Sequence, residues 1–153
     1  MTIPIHANHD RYLTEHMQEW KQRGKCAINK VSNDFFYPHS SAEENKNASY
    51  CTGCEVQLEC LEFAIVLRES AGVWGGASTN HRERIRKWLS TNAQEGFEPT
   101  TVAESSTHLR ESLSVYIRDE LSKPVRRGRK PRAVTPVTQE EPIGITSSTT
   151  GTP

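Results

Sequence analysis

The feature that most constrains the fold of this chain is its set of four cysteines. They stand at positions 26, 51, 54 and 60, separated by 24, 2 and 5 residues. Two thiolates with two residues between them can face one metal from a tight turn or from the first turn of a helix. The gap from Cys54 to Cys60 is about one and a half helical turns, so a helical segment brings Cys60 to the same point. Cys26 must then approach from elsewhere in space, and metal binding would close that long loop.

Several chemistries fit four cysteines in this spacing. A disulfide framework needs an oxidising compartment, but the first twenty residues are polar and contain no apolar run, which predicts no signal peptide and a reducing cytoplasm. A structural zinc ion accepts four thiolates, although a second Cys-x-x-Cys pair is then expected. An iron–sulfur cluster accepts uneven spacing because each iron takes one thiolate. Spacing alone therefore leaves zinc and an iron–sulfur cluster open.

The Cys51-x-x-Cys54 pair also has the spacing of a dithiol oxidoreductase. No strand-rich thioredoxin pattern surrounds the pair, and the six histidines of the chain are scattered without a nucleophile–base arrangement. The sequence therefore predicts that the protein is not an enzyme.

Two motifs decide between these alternatives by resemblance. The run CTGCEVQLECLEFA over residues 51–64, followed by GVWGG over residues 72–76, resembles the WhiB-like family of actinobacterial and actinophage transcription regulators. Upstream, Trp20, Cys26 and the run FFYP over residues 35–38 resemble the aromatic-aromatic-proline motif that this family places after its first cysteine. The resemblance covers roughly residues 12 to 90.

The resemblance implies a small all-α domain organised around a [4Fe-4S] cluster, with Cys26, Cys51, Cys54 and Cys60 as its ligands. It also implies that the protein binds the primary sigma factor of RNA polymerase. Trp74 projects from a glycine-rich turn, and such an aromatic side chain serves equally well as a core plug or as an interface anchor. The resemblance favours the anchor, so we expect a partner-binding surface formed by Gly72, Val73, Trp74, Gly75 and Gly76.

Hydrophobic periodicity predicts helices along most of the chain. The first begins near Asp10, presents Leu13, Met17 and Trp20 on one face and ends at Gly24, and three more span residues 52–68, 78–89 and 104–121. The last of these could pack on the core or wait for a partner.

The predicted surfaces of these helices follow from their polar residues. In the helix over 52–68, Glu62 and three other polar residues are expected to face outward, and in the helix over 78–89, Arg82 is expected on a basic outer face. An Asn80–Glu83 pair has capping-box spacing, although Ser78 or Thr79 could equally be the cap. Residues 26–51 are rich in turn formers and are expected to be a long loop, with the aromatic run 35–37 buried over the metal centre.

A short basic stretch near the C-terminus is the other chemically distinctive segment. The whole chain carries 19 basic and 19 acidic residues, so any attraction to nucleic acid must be local. Residues 123–132 (KPVRRGRKPR) hold six positive charges, and their Arg-Gly-Arg core resembles an AT-hook, which lies in the narrow minor groove of A/T-rich DNA. The predicted DNA-binding residues are Arg126, Arg127, Gly128, Arg129, Lys130 and Arg132.

These observations divide the chain into four parts. We expect a cluster domain over 10–90, a linker with an amphipathic helix over 91–121, a DNA-binding segment over 122–132 and a disordered tail over 133–153. No apolar run approaches the ~18 residues of a membrane span. The resulting hypothesis is a cytoplasmic, redox-sensing transcription regulator; the alternatives are a zinc-stapled DNA-binding module without redox sensing and, behind it, a disulfide reductase in the cluster-free form.

Overall fold

A computed structural model of the chain describes residues 3–16, 19–93 and 97–120. The predicted all-α class is confirmed: these ranges contain helices and no β-strand, with one isolated antiparallel bridge between Trp74 and Ala77. None of the helices in these ranges is long and apolar enough to cross a membrane. The predicted DNA-binding segment and the predicted disordered tail lie outside the described residues.

The helices before residue 49 follow one another through short connections, and a 3₁₀ turn over Ser49–Cys51 begins the Cys-x-x-Cys segment. Longer connections over residues 67–78 and 92–101 separate the last three helices. In chain order the helices are α1 His9–His16, α2 Trp20–Arg23, α3 Lys25–Ile28, α4 Asn33–Phe36, α5 Ser41–Ala48, α6 Gln57–Val66, α7 Thr79–Thr91 and α8 Val102–Glu120. The predicted helices over 78–89 and 104–121 correspond to α7 and α8. The predicted helix over 52–68 is shorter at both ends in the structure.

The prediction of a long loop over residues 26–51 is wrong. The segment folds into α3, α4, α5 and the 3₁₀ turn, and serines that suggested turns act as helix caps. Ser32 Oγ accepts a hydrogen bond from the Asp34 N–H, and Ser40 Oγ accepts one from the Glu43 N–H, each at 3.3 Å. Such caps satisfy amide groups that a short helix leaves unpaired at its N-terminus.

The larger hydrophobic core lies between α6, α7 and α8. Leucine and isoleucine side chains at spacings of three and four give each helix one apolar face, and Tyr116 of α8 joins them. Helix α8 therefore packs on the core, which resolves the alternative that the sequence left open. The buried residues of this core are Leu61, Ile65, Ala77, Ile85, Leu89, Leu109, Leu113 and Tyr116.

A second core lies on the other side of α6 and borders the cysteines. Leu13 of α1, Trp20 of α2, Phe63 of α6 and Val56, which precedes α6, are buried together. The rings of Trp20 and Phe63 meet edge to face with centroids 5.7 Å apart. Cys54 and Cys60 pack against this cluster. The predicted first helix is divided into α1 and α2 in the structure. Leu13 and Trp20 are buried as expected, while Met17 lies outside the described residues.

Glu62 of α6 is fully buried, so the prediction that it faces solvent is wrong. Its carboxylate accepts a hydrogen bond from His9 of α1 (2.8 Å) and another from the Arg110 side chain of α8, while His9 Nδ1 lies 2.9 Å from Ser105 Oγ. Burial would raise the pKa of Glu62, but hydrogen bonds from His9, Ser106 and Arg110 outweigh burial and lower it. A buried polar network thus joins α1, α6 and α8.

The N-terminus of α7 is capped by a side chain from another helix. Ser78 occupies the N-cap position without a side-chain cap bond, and the acceptor is Glu44 of α5: its carboxylate accepts the Thr79 N–H and the Thr79 hydroxyl, each at 3.0 Å. A carboxylate is favoured at this end of a helix because the unpaired N–H groups carry partial positive charge. Of the cap candidates that the sequence left open, Ser78 takes the N-cap position, while the Glu44 side chain makes the capping hydrogen bonds.

Candidate metal centre

The four cysteines line one cavity of about 480 Å³. Cys26 comes from α3, Cys51 from the end of the 3₁₀ turn, Cys54 from the turn that follows and Cys60 from α6. All four are free thiols, half-buried by the surrounding side chains. The structure therefore brings the predicted ligand set together from separate parts of the chain, and no disulfide forms among these residues.

Backbone amides point at three of the sulfur atoms. The Lys25 N–H donates to Cys54 Sγ (3.3 Å), the Gly75 N–H donates to Cys60 Sγ (3.2 Å), and the Gly76 backbone donates to Cys51. An N–H donor stabilises a thiolate more than a thiol. These bonds therefore orient the sulfurs and prepare them to bind as anions.

Burial opposes ionisation of the same thiols when no metal is bound. Burial raises the pKa of Cys60 to about 12, against the Gly75 hydrogen bond, and the neighbouring cysteines raise it further. The pKa of Cys51 is also raised, again mainly by burial. A metal or cluster that bound these thiols would have to displace their protons.

The glycine turn packs directly against the helix that carries Cys60. Trp74 and Ala77 exchange backbone hydrogen bonds (3.1 and 2.9 Å), and the Gln57 side-chain amide donates to the Gly75 carbonyl (3.1 Å). Gly75 has φ +55°, and a Cβ there would lie 2.5 Å from the Gln57 carbonyl oxygen and 2.7 Å from Leu61 Cβ. Only glycine allows this approach, which places the turn beside the cysteine cavity.

Trp74 is half-buried and lines the cavity. Its ring stacks on Phe63 with centroids 5.6 Å apart, and its Nε1–H donates to the Ala71 carbonyl (3.0 Å). Tyr37 is 47% exposed and covers Gly72 so closely that a Cβ there would lie 2.6 Å from the tyrosine ring. Contacts with Phe63 and Ala71 thus hold the Trp74 ring in place, and part of the ring remains accessible beside Tyr37.

Arg82 of α7 is a site residue that the sequence reasoning missed. Its predicted place on the outer basic face is wrong, because the side chain is fully buried under the glycine turn. Its guanidinium donates to the Gly72 and Ala77 carbonyls through one nitrogen and to the Glu69 and Ala71 carbonyls (both 3.1 Å) through the other. Its spacing of three from Ile85, itself four before Leu89, puts Arg82 on the apolar face and could have revealed it.

The fold and the cavity define a class of protein: a small helical protein in which four cysteines line one cavity. Residues 20–85 match the family model described as transcription factor WhiB. Together with the relatives described next, this match shows that the chain belongs to the WhiB family of transcription factors. No solved structure matches the chain.

Three relatives illustrate the similarity. The transcriptional regulator WhiB2 of Mycobacterium tuberculosis is 34% identical over 75 residues, which cover 49% of this chain and 82% of the relative. The transcriptional regulator WhiB of Streptomyces coelicolor is 35% identical over 68 residues, covering 44% of this chain and 76% of the relative. The redox-responsive transcriptional regulator WhiB3 of Mycolicibacterium smegmatis is 31% identical over 75 residues, covering 45% and 77%.

Proposed function

We propose that this protein is a cytoplasmic transcription regulator that binds a [4Fe-4S] cluster through Cys26, Cys51, Cys54 and Cys60. In this proposal it docks on the primary sigma factor through the surface around Trp74 and contacts A/T-rich DNA through its basic segment over 122–132. The observation that carries the proposal is the convergence of four thiols from separate segments on one cavity, directly beside the glycine turn.

The shape of the thiol site supports a cluster more than a single zinc ion. Zinc held by four thiolates needs all four sulfurs about 2.3 Å from one point. Within the described ranges, no three Cys, His, Asp or Glu side chains form a group that could hold one metal ion. A four-iron cluster instead takes one thiolate at each iron, so its ligands surround a volume, as the cysteines do around the 480 Å³ cavity.

The buried indole of Trp20 is a second feature that fits a sulfur-rich group. Trp20 lines the cavity, and its Nε1–H has no hydrogen-bond partner among the described residues. A buried donor of this kind normally has an acceptor, and a sulfur atom of a bound cluster would supply one. When bound, the cluster supplies one-electron redox chemistry, in keeping with the relative that is named redox-responsive.

The remaining residues of the cavity control access to the centre. The rings of Trp20, Phe36, Tyr37, Tyr50 and Trp74 line it, and apolar side chains around a metal centre limit the approach of water and tune the centre. The Val73 N–H donates to the Phe36 carbonyl (2.8 Å), which ties the aromatic run to the glycine turn. A change at the metal centre therefore has a short path to the proposed docking surface.

A disulfide reductase is disfavoured by the state of the thiols. A catalytic thiol of that kind needs a lowered pKa, because the thiolate is the nucleophile. Burial instead raises the pKa of Cys51, the first cysteine of the Cys-x-x-Cys pair. We therefore propose no enzymatic activity for the metal-free form.

The DNA contact in this proposal is supported by the sequence of the basic segment, which lies outside the described residues. Helix α8 is described as far as Glu120, close in sequence to that segment, and packs on α6 and α7 through Leu109, Leu113 and Tyr116. The basic segment therefore follows α8 in the sequence without a long intervening stretch.

Metal analysis of protein purified without oxygen tests the cluster. We expect about four irons and four sulfides per chain and a broad absorption band, and we expect Cys60→Ser to lose most of both because Cys60 is the ligand that α6 contributes. Iron, sulfide and zinc are measured on the same samples, with the parent chain reconstituted in parallel. One zinc per chain without iron would contradict the proposal and favour the zinc-stapled module.

Substitution of Trp74 tests the docking surface. We expect Trp74→Ala to weaken capture of purified primary sigma factor roughly thirtyfold, because a central aromatic anchor is worth about 2 kcal/mol or more. The matched control is Trp88→Ala: Trp88 is a half-buried tryptophan whose ring packs on Tyr116 in the other core. Equal capture by Trp74→Ala and the parent, at equal iron content, would exclude this surface.

A further inference from the structure

The charged residues that line the cysteine cavity are all positive. Three lysines line it, one on α2, one on α3 and one after α3, and no carboxylate of the described residues does. Elsewhere in the described chain charges are mixed, and the nearby Glu55 is paired with Arg23 rather than turned to the cavity. The lysines of this cationic rim are Lys21, Lys25 and Lys30.

Aromatic contacts hold two of these ammonium groups in place. Lys21 Nζ lies 4.5 Å from the ring centroid of Phe63 and 5.8 Å from that of Trp20. Lys25 Nζ lies 4.9 Å from the ring centroid of Tyr50 and 3.5 Å from the Thr52 carbonyl, next to Cys51. Cation–π contacts of this length are attractive, so the two charges stay close to the cavity wall instead of extending into solvent.

The third lysine is presented by an unusual backbone. Lys30 has φ +51°, in the left-handed region that non-glycine residues seldom adopt, and its N–H donates to the Ala27 carbonyl (3.1 Å) at the end of α3. The turn brings the Lys30 side chain back to the cavity lined by Cys26. Three separate local arrangements thus give the rim its charge.

A rim of this kind matters for a negatively charged centre. A [4Fe-4S]²⁺ core with four thiolate ligands carries a net charge of −2, and one-electron reduction makes it −3. Positive groups nearby stabilise the more negative state, and net charge and exposure are established determinants of cluster potential. Water and salt screen exposed lysines, so the effect should depend on ionic strength.

We propose that Lys21, Lys25 and Lys30 raise the reduction potential of the cluster, so that weaker electron donors can reduce it. The inference rests on the proposed function, because it requires the cluster to be present. In the step concerned, one electron passes from an external one-electron donor to the cluster, and no bond to the protein forms or breaks. The lysines act as fixed charges and neither bind iron nor transfer protons.

A potentiometric titration of the cluster-loaded full chain tests the rim. Dithionite is the reductant, redox mediators set the potential, and absorbance and paramagnetic resonance report the reduced fraction. We expect the triple variant Lys21→Gln, Lys25→Gln, Lys30→Gln to show a lower midpoint potential than the parent at low ionic strength. The difference should shrink at high salt because the rim acts through space.

Two control variants separate charge from structure. The triple lysine-to-arginine variant keeps the charges and should retain the parent potential, and so should Lys87→Gln, which neutralises an exposed lysine of α7 outside the cavity. If the triple glutamine variant does not retain a cluster, the three single variants should each give a smaller downward shift.

The outcomes distinguish the two proposals. An unchanged potential in a glutamine variant with parental iron and sulfide content would overturn the rim alone. A parent chain that takes up no iron and sulfide would overturn the cluster, and the rim with it. A shift of equal size in the arginine variant would show that side-chain shape, not charge, is responsible and would also overturn the rim.

Discussion

Arg82→Met is expected to lower the free energy of unfolding by about 2–6 kcal/mol and to release the glycine turn. Methionine fills a similar volume but donates no hydrogen bond. The Ala71 and Ala77 carbonyls keep a second donor in Trp74, whereas the Glu69 and Gly72 carbonyls lose the arginine that bonds them. Each buried acceptor left without a donor costs about 1–3 kcal/mol, a large share of the 5–15 kcal/mol of a typical domain.

Urea unfolding of the cluster-loaded proteins, followed by circular dichroism, measures this loss. Arg84→Met is the matched control, because Arg84 is exposed on the same helix and its replacement should change stability by less than about 0.5 kcal/mol. Arg82→Lys should fall between the two, since an ammonium cannot reproduce the planar set of donors. Equal unfolding midpoints for Arg82→Met and Arg84→Met would show that the turn does not depend on this side chain.

Release of the glycine turn should also weaken the proposed binding of the sigma factor and of the cluster. The turn carries the Trp74 ring and supplies the Gly75 and Gly76 amides that bond two of the cysteine sulfurs. We expect Arg82→Met to weaken both sigma-factor capture and cluster retention, whereas Trp74→Ala should weaken capture alone. Arg82 is thus a positioning residue: it acts on the partner surface and the thiols through the backbone that it holds.

The residues that local patterns place correctly are those whose role is local. Cys60 lies on α6 as predicted, although Cys54 lies in the turn before that helix, and the apolar spacing of α7 and α8 gives their buried faces. Cys26 also lines the cavity. It does so from α3, in a segment whose short helices α3 to α5 were predicted to be a loop. Ser32 and Ser40 cap α4 and α5, and edge-to-face contacts among the rings of Phe35, Phe36 and Tyr50 pack this segment together.

The two clearest errors are both buried charges. Arg82 and Glu62 lie at positions that helical spacing assigns to packed faces, yet charged residues are rarely buried, so residue type suggested solvent. What reverses that expectation is distant in sequence: the carbonyls of the glycine turn for Arg82, and His9 and Arg110 for Glu62, which are 53 and 48 residues away. No local pattern contains such partners, because only the assembled helices bring them together.

Glu62→Gln is expected to destabilise the cluster-loaded protein by about 3 kcal/mol. Glutamine preserves the shape of the side chain but removes the charge that balances Arg110. It also replaces one of the two oxygens that accept from His9 and Arg110 with an NH₂ group, which cannot accept. Breaking a buried ion pair from one side costs about 3–5 kcal/mol. The lower end applies here because Arg110 is partly exposed and water can compensate for some of the loss.

The neighbouring glutamate provides the matched control. Glu59 is on the same helix and lies 3.7 Å from the same arginine, but it is partly exposed, so Glu59→Gln should cost no more than about 1 kcal/mol. Urea midpoints of the two variants give the comparison, and a double-mutant cycle with Arg110→Met isolates the pairwise energy. Equal midpoints for Glu62→Gln and Glu59→Gln would contradict the expectation.

Which helices lose stability in Glu62→Gln is as informative as how much stability is lost. The Glu62 network connects α6 to α1 and α8, the two helices that lie wholly outside the residues matched by the family model. Hydrogen exchange in Glu62→Gln should therefore accelerate in α1 and α8 while α7, which is held by Glu44 and Arg82, keeps its protection. Uniform acceleration in all helices would mean that the network stabilises the whole domain as one unit. Selective acceleration would mean that α8, and the basic segment attached to it, can loosen while the cysteine cavity and the glycine turn remain in place.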